Sequence, residues 1–580
     1  MGDDEMNARQ QSSANTVPVT NFWESRLVPF LEEHFSLLCI CLVGLGCLRI
    51  IATYNTLSVT TDEPTHLACG MEFVANHVHR IETQHPPLSR MMEALGPYLS
   101  GVRPQGLTSN PEGIAEIASS GNVARTIFLL RLGNLPFFLE GCLVVAWWSR
   151  HFFGKAIAVV ATGLFTLLPT VLADGGLATT DMALGANVGA AFLAVILWAE
   201  KPSWFRSFIL GIFIALACLS KFTALGYIPA AVSLALAVYL ATRWPGLHGL
   251  LRAVFERIPK MMLAAGTTAL LIWAGYWFSF GPVRVPHTKR IVGIPAPEFL
   301  HGIRFALGHD RAGHYSYLLG HVRLNGWWYY FPVALAVKTP IAFLLLLILG
   351  TYVCLRKYKQ PINLLPLAFS FGILLPALWS RIDIGIRHVE PIYIGLTIVA
   401  ALGLRVLLCR VNTGLTALLT GGALVIWMVI SVAALHPDYL AYFNAFAGKS
   451  PETILVDSNY DWGQDLILLK KRLQQLGVRD YSLASWNGIE MHNPDRFKYM
   501  ETWYGLPPYR DIDLCTPSAG WNVLGVTVED DLSYMPDNMF YRGSSGRKPW
   551  YEKIKPDERV GGLVLYNIPP GLKLKGDNCP

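Results

Sequence analysis

Charge is scarce in this 580-residue chain: 15% of its residues are charged, against about 25% in an ordinary soluble protein. Hydrophobic residues make up 52%. That balance excludes a conventional water-soluble globule and points to lipid as much of the solvent. Ten cysteines occur, but never as Cys-x-x-Cys and never at zinc-ligand spacing, which sets a zinc module aside. There is no Asn-x-Ser/Thr sequon, which fits a bacterial envelope better than a glycosylating lumen. Internal repeats and low-complexity tracts are also missing. The net charge of +6 reads, in such a chain, as basic cytoplasmic loops rather than as nucleic-acid binding.

What is present is a series of apolar runs. A hydrocarbon core needs about 20 apolar residues per spanning helix, and about eleven runs qualify or come close: 35–57, 127–148, 156–173, 182–199, 208–219, 222–241, 261–280, 341–355, 362–379, 392–408 and 415–435. The shortest, 208–219, could be re-entrant. Basic residues gather at Arg150/Lys155, Lys201/Arg206, Arg243/Arg252/Arg257/Lys260, Arg356/Lys357/Lys359 and Arg405/Arg410. With the N-terminus cytoplasmic, all five clusters fall inside only if 208–219 also crosses. The polar stretch 1–26 is too long and mixed for a signal peptide's n-region. The expected organisation is a cytoplasmic tail (1–34), a transmembrane unit (35–435) and an extracytoplasmic soluble domain (436–580). The expected class is a mainly α, polytopic membrane protein with a small α/β or α+β C-terminal domain.

The tail carries strand-like runs at 453–456, 481–484, 522–528 and 562–568, and a helix-like run with Leu466, Leu469, Leu473 and Leu476 on one face. Seven cysteines lie in or beside apolar runs and read as packing residues. Cys69, Cys515 and Cys579 lie in polar segments, and a Cys515–Cys579 disulfide is an option in an oxidising compartment.

The candidate chemistry falls on the outer loops. The first, 59–123, opens with Asp62-Glu63-Pro64-Thr65-His66 and continues as a helix with Leu67, Met71, Val74 and Val78 on one face, suited to lying on a membrane surface. Acids before a first-turn proline are also ordinary helix-start features, so capping is the plain reading of Asp62 and Glu63. Next comes His85-Pro86-Pro87-Leu88-Ser89-Arg90, a proline-enforced turn ahead of a helix to about Leu99. As a lone residue, His85 reads as a polar loop residue. Asp181 opens a span, where the helix dipole tolerates an acid; an interfacial charge is also a functional candidate. Lys221, between two apolar runs, could snorkel to water or meet a phosphate. Arg381, Asp383, Arg387 and His388 crowd another outer loop, and Lys338 stands at the outer edge of a span. Outer cations run against the positive-inside trend and guanidinium groups grip phosphate oxygens in forked pairs, so these carry weight. His287, His301, His309, His314 and His321, with Asp310, show no compact metal spacing and read as loop residues. Residues 457–461 mimic the start of a calcium loop, but Trp462 and Leu468 stand where glycine and glutamate are needed.

Asp62-Glu63 followed by His85-Pro86-Pro87-Leu88-Ser89-Arg90 resembles the first luminal loop of protein O-mannosyltransferases and the aminoarabinose transferases of the GT-C superfamily. Asp181, Ser220-Lys221, Lys338-Thr339-Pro340, Gly385-Ile386-Arg387-His388 and Asp457-Ser458-Asn459-Tyr460-Asp461-Trp462-Gly463-Gln464-Asp465 also resemble recurring patterns of the bacterial group. Ser89 and Arg90 replace the glycine and lysine of the mannosyltransferase motif, and the tail shows no match to the eukaryotic β-trefoil. The resemblance implies a GT-C fold in a bacterial inner membrane, with a polyprenyl-phosphate-sugar donor, a hydroxyl acceptor (lipid, glycan or protein) and inversion at the anomeric carbon. It assigns Asp62 as base, with Glu63 and Asp181 shaping the site. Arg387, Lys338, Lys221 and His85 would steady the phosphate, with Arg90 and His388 beside them. A divalent metal could share that charge, though nothing in the sequence requires one. A multi-span transporter and a non-catalytic envelope scaffold are the competing readings; no inverted repeat of broken helices supports the transporter.

Overall fold

A computed structural model describes residues 23–284, 290–410, 414–484, 502–513, 515–528 and 549–577. Among the described residues, six helices are long and apolar enough to cross a membrane: Phe35–Thr53, Val123–Phe153, Asp181–Glu200, Ala224–Thr242, Gly246–Gly275 and Ile392–Cys409. Lys155–Phe165 with Pro169–Gly176, bent by 66°, and Tyr330–Lys338 with Ile341–Arg356, bent by 115°, are broken units. Trp204–Ser220, Leu365–Ala377 and Leu418–Ala433 are shorter apolar helices. Among the described residues these make eleven apolar units, one over each run expected from the sequence. The breaks have a local cause. Pro169 and Pro340 lack an N–H, and each pushes the residue before it out of the helical region; Thr339 is accordingly extended, at ψ 134°.

Asp181–Glu200 is the central helix, with 83% of its apolar window buried, whereas Phe35–Thr53 has 11% buried and faces outward. Trp148 packs on Phe192 and Phe369 at 5.4 and 5.6 Å between ring centroids, joining three helices in the core.

The first loop is not a surface helix. Glu63–Asn76 is buried along most of its length, including Leu67, Ala68, Cys69, Gly70, Met71, Glu72 and Phe73. It lies between Pro87–Leu99 and Ser109–Ser119. Close backbone packing on two neighbours explains the difference: a Cβ on Gly70 would stand 2.1 Å from the Arg90 carbonyl oxygen, and one on Gly113, in the neighbouring helix Ser109–Ser119, would stand 1.8 Å from that of Pro64. Val78 falls beyond the helix end. The proline turn leads, as expected, into a helix over Pro87–Leu99.

After the last apolar helix the chain first lies against the helical bundle and then forms a five-stranded sheet. The strand order is Tyr509–Asp511, Tyr481–Ala484, Gly520–Gly525, Leu563–Ile568, Glu558–Val560. The first three are parallel and the last two pair antiparallel. Leu466–Leu476 buries Leu466, Leu469 and Leu473 in the small core beside this sheet. Residues 453–456 are not a strand: Thr453 ends the short 3₁₀ turn Pro451–Thr453 and the rest follow it. Cys515 is disulfide-bonded, while Cys69 and the seven apolar-run cysteines are free; Cys579 and His287 lie outside the described residues.

Candidate active site

Loops distant in sequence meet at one end of the bundle. Asp62 precedes Glu63–Asn76, Asp181 opens the central helix, Lys221 follows Trp204–Ser220, and Arg387 lies in the 3₁₀ turn Ile386–Val389. Arg387 Nη2 is 3.5 Å from Asp62 Oδ2 and its Nη1 is 3.3 Å from Asp181 Oδ2; Lys221 Nζ donates to Asp181 Oδ1 at 2.6 Å. Two acids and two cations thus share one point. Asp181 is fully enclosed, whereas the Asp62 side chain keeps 41% of its accessible area. Although its outer edge is open, enclosure of Asp62 by the surrounding loops raises its carboxyl above the ordinary range, Arg387 pulls it down and Asp181 pushes it up. A carboxylate so placed is exposed, held by one long contact, and more basic than usual.

Glu63, next in the chain, points elsewhere. Its two oxygens receive Arg131 Nε and Nη2 at 2.8 Å, and the N–H groups of Thr60 and Ala178 also donate to it. Arg131 completes its set with the carbonyls of Tyr54, Leu57 and Ser58, so all five of its N–H donors are satisfied. Burial pushes the Glu63 carboxyl up, but Arg131 and the two backbone donors hold it below its usual value. The pair is closed to substrate and fixes the turn that presents Asp62. Arg131 was missed in the sequence, although a cation inside the apolar run 127–148 is a signal of this kind.

Lys338 also stands apart. At the 115° break it donates to the carbonyls of Leu440 and Asn459, at 2.7 and 2.5 Å, and lies 4.3 Å from the Phe443 ring; it ties the tail to the bundle. Arg90 is buried and donates to Glu82 through both its carbonyl and its carboxylate, and to His66 Nδ1 at 3.0 Å. His66 was not singled out from sequence; its ring lies 5.8 Å from that of His85. Burial, then Arg90, keeps both histidines well below the usual imidazole range and therefore neutral. His85 Nδ1 is buried without a partner in the structure. His388 is half-buried beside Arg387, with its carbonyl receiving Tyr227 Oη at 2.9 Å. Behind this layer Glu93, fully buried, accepts from Ser89 and is pushed by burial up to about 8.

The histidine-rich loop also reaches the first loop. Gln84 Nε2 and His309 Nδ1 are 3.0 Å apart, and Asp310 receives Ser380 Oγ and the Arg381 N–H. Asp383 accepts the Trp327 N–H. Among the described residues no group of three or more His, Cys, Asp or Glu side chains is arranged to hold a metal ion.

Residues 41–281 match the model of the dolichyl-phosphate-mannose-protein mannosyltransferase family. No curated protein sequence matches the chain. Among solved structures, similarity extends to ArnT from Cupriavidus metallidurans in the apo state, at 13% identity and TM-score 0.48 over 91% of this chain and 97% of that one. It extends to the Archaeoglobus fulgidus oligosaccharyltransferase, at 14% identity and TM-score 0.42 over 81% and 60%. The S. cerevisiae protein O-mannosyltransferase Pmt1–Pmt2 complex bound to the sugar donor gives 14% identity and TM-score 0.33 over 42% and 33%.

Proposed function

We propose that this chain is a glycosyltransferase of the GT-C superfamily and that it transfers a sugar with inversion from a polyprenyl-phosphate carrier to a hydroxyl acceptor at the outer face of a membrane. The observation that carries this reading is the junction in which Lys221, Asp181, Arg387 and Asp62 are linked in that order by contacts of 2.6, 3.3 and 3.5 Å. It stands at the end of an apolar bundle, where a lipid tail can remain in the bilayer while its phosphate reaches water. The disulfide at Cys515 supports an oxidising, extracytoplasmic setting for that end.

In this reading the acceptor oxygen attacks the anomeric carbon. The bond from that carbon to the phosphate oxygen breaks, and the polyprenyl phosphate leaves with the electron pair. The transition state is oxocarbenium-like. A phosphate needs charge compensation rather than protonation, which Arg387 and Lys221 supply in a largely water-excluded setting. The only proton to be moved is that of the acceptor hydroxyl, and Asp62 is the base: it alone of the three acids is exposed. Asp181 orients both cations. Glu63 and Lys338 act at one remove, through the Arg131 clamp and the tail tie. His85 and Arg90 form the wall on the first-loop side, with His388 beside Arg387. The setting expected is a bacterial inner membrane with the N-terminus cytoplasmic.

Mass spectrometry of lipid-linked sugars and glycoconjugates in cells lacking the gene is the primary test. Loss of one glycoconjugate with accumulation of its polyprenyl-phosphate donor is the expected result. An unchanged profile, or sugar flux in sealed vesicles without a glycosylated product, would refute it.

A further inference from the structure

Residues 457–465 belong by position to the tail, yet they touch both halves of the acidic–basic junction. On one side, Arg387 Nε donates to Ser458 Oγ at 3.0 Å, and the guanidinium carbon lies 4.1 Å from the centre of a Trp462 ring. Ser458 Oγ donates in turn to the Ile384 carbonyl at 2.7 Å, and the Ile386 N–H donates to Asn459 Oδ1 at 3.0 Å. Gly385 packs so tightly here that a Cβ would stand 2.3 Å from Ser458 Oγ. On the other side, the Ser58 N–H donates to the Gln464 carbonyl at 2.9 Å, Ser58 Oγ donates to the Gly463 carbonyl at 2.8 Å, and the Thr61 N–H donates to the Trp462 carbonyl at 3.2 Å. Thr61 immediately precedes Asp62.

A guanidinium has two faces and five N–H donors. Trp462 covers a face, and Ser458 takes Nε. The two Nη groups are then left to point along one direction, where Asp62 and Asp181 now sit. An arginine on a flexible stem would otherwise lose much of its forked grip to rotamer freedom. Trp462 is 2% exposed, and a desolvated indole attracts a cation more strongly than an exposed one.

We propose that Ser458 and Trp462 are positioning residues of the transfer site: they fix the plane and direction of the Arg387 guanidinium, so that the tail segment is part of the phosphate-binding machinery. This rests on the reading of Arg387 as the phosphate ligand. A ring that only fills space is replaceable by any apolar side chain of similar bulk; a ring that acts through its π-face is replaceable only by another ring.

The test uses the full-length protein in nanodiscs with undecaprenyl monophosphate as the probe, its affinity measured by native mass spectrometry. Trp462→Leu is expected to weaken binding roughly tenfold, the scale of one desolvated cation–π contact. Trp462→Phe should restore most of it, and Ser458→Ala should weaken binding without lowering the melting temperature appreciably. In an Arg387→Ala background, Trp462→Leu should add little further loss, because the two residues act through one contact. Equal losses from Trp462→Leu with and without Arg387, or equal affinities for the Leu and Phe variants, would overturn the proposal. Should Trp462→Leu fail to fold, unchanged probe affinity in Ser458→Ala would overturn it alone. If the unaltered protein does not bind the probe, the donor reading itself falls and takes this proposal with it.

Discussion

Asp62 and Glu63 are chemically alike and adjacent, yet their environments give them opposite work. Asp62 keeps 41% of its side-chain area and one long contact to Arg387; Glu63 has none of its area and a closed pair with Arg131. Asp62→Asn should therefore lower turnover at least ~100-fold, the lower scale of general-base catalysis, while thermal unfolding in detergent stays unchanged. Turnover of the purified variant near that of the unaltered protein would remove Asp62 from the mechanism. Glu63→Gln should do the reverse of sparing the fold: it leaves Arg131 charged and buried, which costs about 3–5 kcal/mol. A melting curve that does not move would show that the pair is dispensable. At this scale the sequence was partly legible. The Asp-Glu motif was visible, but which of the two stays exposed depends on Arg131, 68 residues away, and a pairing at that distance leaves no mark on local pattern. Lys338 shows the same limit: its position at the outer edge of a span was readable, but its partners, the carbonyls of Leu440 and Asn459, are backbone groups that any sequence supplies.

At the scale of elements, apolar run length placed the helices well, because a span's length is dictated by the bilayer. It placed the first loop poorly. The one apolar face of Glu63–Asn76 suggested a membrane surface, whereas backbone contact at Gly70 and Gly113 packs the helix on more than one side. These contacts are the reason the loop forms a layer over the bundle rather than floating on lipid. Gly70→Ala should break it: the added carbon meets the Arg90 carbonyl, a backbone atom that cannot swing aside. Overpacking of this kind costs about 1–3 kcal/mol, and His66 and Asp62, carried by one helix, shift away from Arg90, carried by the other. Loss of activity with a lowered melting temperature is expected, and protease cleavage within 77–86 should quicken. A Gly70→Ala protein that keeps both activity and melting temperature would show the layer to be more pliable than its contacts indicate.

For the whole molecule, the question is how stability follows pH, and the buried acids of the tail bear on it. Asp438, Asp461 and Asp465 are all buried within the tail, Asp461 against Gly525 and Gly562 and Asp465 against Gly561. Burial raises Asp438 to about 6 and Asp461 to about 7, and drives Asp465 well above its ordinary value. An acid whose folded-state pKa is raised stabilises the fold fully below its unfolded value, near 4, and that contribution is lost as pH climbs through the folded value. Glu63, held low, has the opposite sign: its contribution is present above its unfolded value near 4.5 and disappears on further acidification. The two opposed slopes place maximal stability on the mildly acid side of neutrality. The melting temperature should fall between pH 5.5 and pH 8.5 as the tail acids ionise against one another. Asp461→Asn should flatten that fall, since the amide oxygen can still accept the Gly463 N–H that Asp461 Oδ1 accepts at 3.0 Å but carries no charge to bury. A melting temperature that rises over the same interval, or an Asp461→Asn protein that is just as pH-sensitive, would mean that these carboxyls are neutralised by a partner at all pH values.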